Sequence, residues 1–263
     1  MLPFQLLLAA STVAAGVVIA ASLLAYVRGG RWSERTLQVA LLAGVALAVA
    51  TAARRAVLVD HFPGQSPSEV AVLWASVALA CGLSFQVLRD PRARAFAALV
   101  AGWIATVALA RAMQLPSDPH DLPPALRSAW LPVHVMTIVT GEVLVLVAAA
   151  CSLVRLQRPC SIAFAIGFPA LTVGLVSGTI WAQNAWSSYW GWDARETTAL
   201  VAWIVLFAHG VQSQRAPARG SLVTGAVLVL AGTLYGYLPA AQKSIHRFTD
   251  YGVHDSFDAD ATR

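Results

Sequence analysis

Charge is scarce in this chain. Only 12% of its 263 residues are Asp, Glu, Lys or Arg, whereas 58% are hydrophobic. A soluble domain carries about 25% charged residues. Mean hydropathy is +0.66. That excludes a disordered chain, which needs low hydrophobicity and high charge. It also argues against a soluble globular enzyme, which could not hide this much apolar surface. Cysteine is equally sparse. Cys81, Cys151 and Cys160 are the three, and no two form a CxxC pair. A disulfide framework and a thiol redox motif therefore have no support. Strand-like alternation is missing, as are a Ser/His/Asp triad, a zinc signature and a phosphate loop, so a hydrolytic enzyme is disfavoured.

Long apolar runs are present instead. A membrane-crossing helix needs about 20 apolar residues. Eight segments qualify: Phe4–Tyr26, Leu37–Val59, Val70–Leu88, Ala95–Met113, Trp130–Val154, Ile162–Ile180, Glu196–Gln212 and Ser221–Leu238. Their connections carry breakers such as Gly29-Gly30, Pro63-Gly64, Pro91, Pro123-Pro124 and Pro217. The expected class is all-α, a polytopic transmembrane helical bundle of about eight helices. Residues 1–263 then form a single integral membrane domain. No Lys or Arg precedes Arg28, so the first segment lacks the basic start of a signal peptide and is expected to be a retained helix.

The basic residues report topology rather than nucleic-acid binding. Loops after the odd-numbered segments hold Arg28, Arg31, Arg35, Arg89, Arg92, Arg94, Arg155, Arg158, Arg215 and Arg219, with only Glu34 and Asp90 against them. The opposite side is slightly acidic. The positive-inside rule puts the arginine-rich side in the cytoplasm. Both termini, and the connection between the sixth and seventh segments, are then expected on the outer, periplasmic side of a cell membrane.

That connection, residues 181–197, is the most unusual stretch. It reads as a loop running from Trp181 through Trp186, Tyr189, Trp190, Trp192 and Asp193 to Arg195, Glu196 and Thr197. An interfacial aromatic belt would use one or two aromatics per helix end. This density suits a stacking platform for a flat apolar ligand. Asp193 and Glu196 open the seventh segment, where carboxylates favour the positive helix end, and capping is the plain alternative for both. Three histidines narrow the ligand. His134 opens the fifth segment and His246 follows the eighth. His209 lies 13 residues beyond Glu196, about 20 Å into the membrane at 1.5 Å per residue. An ionisable group at such depth is a functional candidate. A neutral, hydrogen-bonded core histidine is the alternative there. Together the pieces suit haem, which has two aromatic faces, an iron that takes imidazoles and anionic propionates that attract arginine. Arg54, Arg55 and Arg111 sit near the outer helix ends, where plain snorkelling is the competing use.

The run Trp186-Ser-Ser-Tyr189-Trp190-Gly-Trp192-Asp193-Ala-Arg195-Glu196-Thr197, continued by Leu200, Trp203 and His209, resembles the tryptophan-rich WWD signature of haem-handling proteins of cytochrome c maturation. It is most similar to the CcsA (ResC) family. His61-Phe62-Pro63 with Ser68-Glu69, and Trp130-Leu131 with His134-Val135, resemble further segments of that family, so the likeness spans most of the chain from the second helix onward. The resemblance implies haem b as cofactor. It implies His134 and His246 as outward-facing iron ligands, with His254 an alternative to His246. His209 would be an intramembrane iron ligand opposite a histidine of a CcsB (ResB) partner, and Trp181, Trp186, Tyr189, Trp190, Trp192 and Asp193 would form the platform. It further implies presentation of haem to the CxxCH thiols of an apocytochrome c, as the haem-binding part of a holocytochrome c synthase. Ser187, Ala194 and Arg195 replace the family's Gly, Pro and Lys. The Asp-Ala-Arg run is nearer to CcmC, a haem-delivery protein, and HemX-like regulators of haem synthesis share the motif. A haem-free solute transporter, using intramembrane Glu142 and His209, is the reading from another class.

Overall fold

The computed structural model describes residues 3–115, 124–213 and 219–235. His246, His254 and His120 lie outside the described residues. Among the described residues every regular element is helical: α1 (Phe4–Arg28), α2 (Arg31–Val59), α3 (Pro67–Ser84), α4 (Pro91–Ala112), α5 (Trp130–Leu153), α6 (Gln157–Trp186), α7 (Ala194–Ser213) and α8 (Arg219–Tyr235). Two 3-10 turns, Phe85–Val87 and Pro124–Arg127, complete the set. Six helices, α1 to α6, are long and apolar enough to cross a membrane, and α8 is a shorter apolar helix. The protein is an all-helical membrane protein.

The expected segments and the helices differ mainly at their ends. α2 begins six residues before Leu37, because Arg31, Glu34 and Arg35 are good helix formers that extend beyond the apolar run. The larger correction concerns the tryptophan stretch. α6 continues to Trp186 and α7 starts at Ala194, so Trp181 and Trp186 stand on a helix and the true connection is only residues 187–193. Pro169 lies inside α6 without ending it. A bundle can absorb such a break because neighbouring polar groups satisfy the freed backbone.

Packing follows the needs of lipid. Solvent cannot drive apolar helices together there, so small residues that permit close contact dominate interfaces. α1 buries Leu8, Ser11, Ala15, Val18, Ser22 and Ala25, which recur at steps of three and four. α4 buries a stripe made almost wholly of alanine, from Ala93 to Ala112. α1, α2, α3 and α4 pack as one group, α5 pairs most extensively with α6, and α7 pairs with α8, which also meets α5. Ser11 and Thr51 hydroxyls bond at 2.9 Å between α1 and α2.

Successive helices run in opposite directions, which gathers Phe4, Arg55, Glu69, His134, Trp186 and Ala194 at one end of the bundle. The arginine-rich turns after α1, α3 and α5 gather at the other. There Glu34 pairs with Arg94 at 2.7 Å, and Asp90 caps α4 through the Arg92 amide at 2.9 Å. Both acids set among these arginines therefore have structural uses.

Candidate functional site

The tryptophan end is built on the α5–α6 seam. A side-chain carbon added at Gly141 would lie 2.6 Å from the Leu171 amide nitrogen. One at Gly174 would lie 2.6 Å from Ile138, and one at Gly178 would lie 2.7 Å from the His134 ring. Only glycine permits this approach. The closeness lets His134 reach across, its Nδ1 2.8 Å from the Gly174 carbonyl oxygen. A carbonyl only accepts, so Nδ1 carries the proton in the neutral ring and the lone pair sits on Nε2, the nitrogen suited to a metal. The half-buried imidazole lies parallel to the Trp181 ring, with centroids 5.9 Å apart and planes at 10°. Trp186 meets Trp181 edge-on at 5.9 Å.

The short connection then turns sharply. Ser187 takes φ +58° as α6 ends, and Trp192 takes φ +55°. A left-handed backbone at a bulky aromatic is an outlier held in place by its surroundings. Immediately after it, Asp193 Oδ1 accepts from the Glu196 amide at 2.7 Å, and Glu196 Oε2 accepts from the Gly191 amide at 2.7 Å. These two bonds, an N-cap by Asp193 and a reach back to Gly191 by Glu196, lock the loop to the start of α7. They identify what the Asp193 and Glu196 carboxylates do in the fold. Trp190 and Trp192 stand edge to face at 6.0 Å. Tyr189 and Trp192 are exposed, and Trp190 is half-buried.

Beneath this connection lies a cleft of about 820 Å³ of empty space, its open mouth included. His134, Glu142, Trp190, Arg195, Trp203 and Thr233 are among its lining residues, with apolar side chains between them. One of its atoms is anomalous: the Trp190 indole nitrogen is buried and has no hydrogen-bond partner. An unmet buried donor costs about 1–3 kcal/mol, and an acceptor on a bound molecule would relieve it. A flat macrocycle with carboxylate arms and an imidazole-binding metal matches these donors. The residues present fit haem.

His209 is elsewhere. It is buried in α7, edge-on to Phe164 of α6 at 4.8 Å, with Nδ1 3.2 Å from the Ser221 hydroxyl of α8. Between it and the cleft runs a ladder of rings that the WWD pattern does not announce. Trp203 stacks on Phe207 at 5.5 Å and on Phe168 at 5.7 Å, and Phe168 stacks on Phe164 at 5.6 Å. Trp203 is fixed by its indole N–H donating to the Thr172 hydroxyl at 2.9 Å. The spacing of Phe164 to Phe168 and of Trp203 to Phe207, four residues each, is the signal for it in the sequence.

Arg55 is corrected. It neither snorkels nor reaches the cleft. It is buried and bonds Glu69 at 2.8 Å, with its guanidinium 5.6 Å from the centre of the Phe4 ring. Glu69 in turn accepts from the Gln65 and Ser66 amides at 3.0 and 3.1 Å. It completes a capping box in which the Ser66 hydroxyl accepts from the Glu69 amide. The Ser66-Pro-Ser-Glu69 pattern announces this in the sequence.

Packed membrane helices around an aromatic-walled cleft define a polytopic bundle whose distinctive chemistry is concentrated at one end. Residues 66–235 match the family described as "Cytochrome C assembly protein". The chain belongs to that family. Among curated relatives, the cytochrome c biogenesis protein CcsA of Chlamydomonas reinhardtii is 33% identical, over 38% of this chain and 33% of that one. The CcsA of Synechococcus sp. (strain CC9605) is 33% identical, over 41% of this chain and 50% of that one. The chain thus spans a third to half the length of these relatives. Among solved structures, the cytochrome c heme lyase CcmF shares the fold, with a TM-score of 0.70 at 20% identity, covering 89% of this chain and 46% of that chain.

Proposed function

We propose that this chain is a haem-handling component of cytochrome c maturation, and that the cleft under the tryptophan connection is its haem site. The observation that carries the reading is His134. Its tautomer is set by Gly174, its ring is stacked on Trp181, and it lines a cleft that also holds an unpartnered indole N–H. His134 Nε2 is the iron ligand from the chain's own side, and His246 of the C-terminal tail is the second, with His254 as the alternative. Trp181, Trp186, Tyr189, Trp190 and Trp192 hold the macrocycle by stacking and exclude water from its faces. Asp193 serves that platform by capping α7.

His209 is a second iron ligand, deeper in the membrane, shared with a CcsB-type partner. Bound haem b supplies vinyl groups for thioether bonds to an apocytochrome c CxxCH site, and this chain supplies position rather than acid–base chemistry. Residues 1–263 act as one integral membrane domain, as the haem-binding part of a holocytochrome c synthase. The bias of Lys and Arg supports an orientation with the tryptophan end and both termini outside the cytoplasm.

The test is reconstitution. The chain is co-expressed with a CcsB-type protein and an apocytochrome c in cells lacking their own maturation system, and covalently attached haem is measured. Attachment with the wild type, and its loss with His134→Ala, is expected. Attachment that proceeds unchanged without the chain, or with His134→Ala, would overturn the proposal.

A further inference from the structure

Resting on the haem reading, one wall of the cleft has no assigned use. Trp203 of α7 lines the cleft and stands outside the tryptophan connection. The back of its ring is committed. Phe207 stacks on it at 5.5 Å with planes at 13°, and Phe168 of α6 at 5.7 Å with planes at 27°. Phe168 and Phe207 are themselves only 6.5 Å apart. Rings on opposite faces of one indole would be separated by nearly the sum of their distances to it. Both phenylalanines therefore back the same side, and the other face of the indole is left for the cleft.

The polar edge of the ring is committed as well. The Trp203 indole N–H donates to the Thr172 hydroxyl at 2.9 Å, and that hydroxyl donates its own proton to the Phe168 carbonyl at 2.9 Å. Every proton in this chain has an acceptor. The chain ends on the α6 backbone, so the indole cannot turn without breaking it. Trp190 lines the same cleft with its N–H unmet. Trp203 has no donor to offer. It offers a flat apolar face held at a fixed angle, which suits stacking on another ring system. Of the other tryptophans at this end, Trp181 is stacked on the His134 ring and Trp192 is exposed.

We propose that Trp203 is the stacking wall of the haem site. The indole face turned to the cleft receives the flat macrocycle, and Thr172 is the positioning residue that fixes the angle of that face. Recognition here depends on the ligand's ring system and not on its metal. The wall and His134 thus select different features of one molecule, the first its ring and the second its iron.

Haem and metal-free protoporphyrin IX are titrated separately into the purified full-length chain in detergent. Binding is followed by the Soret band, and circular dichroism verifies folding of each variant. Trp203→Leu should weaken both ligands alike, by about two- to tenfold, the worth of an aromatic pair beyond its buried area. His134→Ala should weaken haem far more than protoporphyrin IX. Thr172→Val removes the hydroxyl at nearly constant volume and should weaken both ligands by part of the Trp203→Leu factor. Thr172→Ser, which keeps the hydroxyl, should restore them. Trp103→Leu, at an exposed tryptophan of α4, should change neither. Were Trp203→Leu unable to fold, Trp203→Phe should show the same parallel weakening to a lesser degree. Protoporphyrin IX bound by these Trp203 variants as tightly as by the wild type, a loss confined to haem, or a wild type that binds haem but not protoporphyrin IX, would overturn the wall and leave the haem site standing. An unchanged Thr172→Val would strike Thr172 from it. Failure of the wild type to bind haem would overturn both.

Discussion

Two polar clusters occupy the same end of this bundle, and they use charge in opposite ways. Around α1 to α3, Arg55, Glu69 and the Ser66 capping box bind one another and hold the connection from His61 to Ser66 in place. Around α5 to α8, His134, Glu142, Trp190 and Arg195 face a cleft instead, beneath exposed aromatic rings. The first cluster is a brace. The second is assembled around a space, and its unpaired Trp190 donor is the cost of keeping that space ready. The contrast shows that an arginine near a membrane surface is not in itself a ligand contact. What its side chain faces decides.

The sharpest way to separate the two is to break the brace. Glu69→Ala leaves Arg55 charged and buried, and removing one partner of a buried pair costs about 3–5 kcal/mol. Thermal unfolding in detergent should show a larger drop than Gly174→Val or Asp193→Ala produces. Haem bound per folded molecule should nevertheless stay at the wild-type level. A loss of haem in the folded fraction would merge the two clusters into one site.

A smaller effect is expected at the helix seam that supports the cleft. Gly174→Val places carbon 2.6 Å from Ile138, and overpacking of this kind costs about 1–3 kcal/mol. Because Gly174 also supplies the carbonyl that orients His134, this variant should disturb the haem spectrum as well as stability, unlike Glu69→Ala. Trp190→Phe sharpens the comparison further. It removes the unpartnered N–H, so the ligand-free protein should gain about 1 kcal/mol while haem binding weakens. Calorimetry and titration of one preparation would reveal the opposed signs. The smallest effect is at Asp193. Asp193→Ala should cost about 1 kcal/mol as a lost cap, and Asp193→Asn very little. If Asp193→Asn keeps stability but loses haem, the carboxylate does more than cap.

Much of this organisation is legible in the sequence. The apolar runs predict eight helices, and the arginine distribution predicts which ends gather together. Of the tryptophan-rich stretch, Tyr189 and Trp190 line the cleft, whereas Trp181, Trp186 and Trp192 are not among its lining residues. Other features depend on contacts between distant segments. Trp181 looks like a loop residue until α6 is seen to continue beneath it, because hydropathy fades before the helix does. Arg55 is indistinguishable from a snorkelling arginine until α3 brings Glu69 beside it. Glu142 is only an isolated acid in an apolar run until α8 delivers the Thr233 hydroxyl. The Ser66–Glu69 capping box and the Asp193 cap on the Glu196 amide are local, and their spacing alone is enough to read them.

The most direct test of the cleft as the haem site is a pair of absorbance spectra. The wild type and His134→Ala are purified in mild detergent from haem-replete cells and recorded oxidised and reduced. Haem with the spectrum of imidazole-ligated low-spin iron in the wild type, shifted or lost in His134→Ala, is the predicted result. Identical spectra for the two proteins, or a wild type that carries no haem, would contradict it.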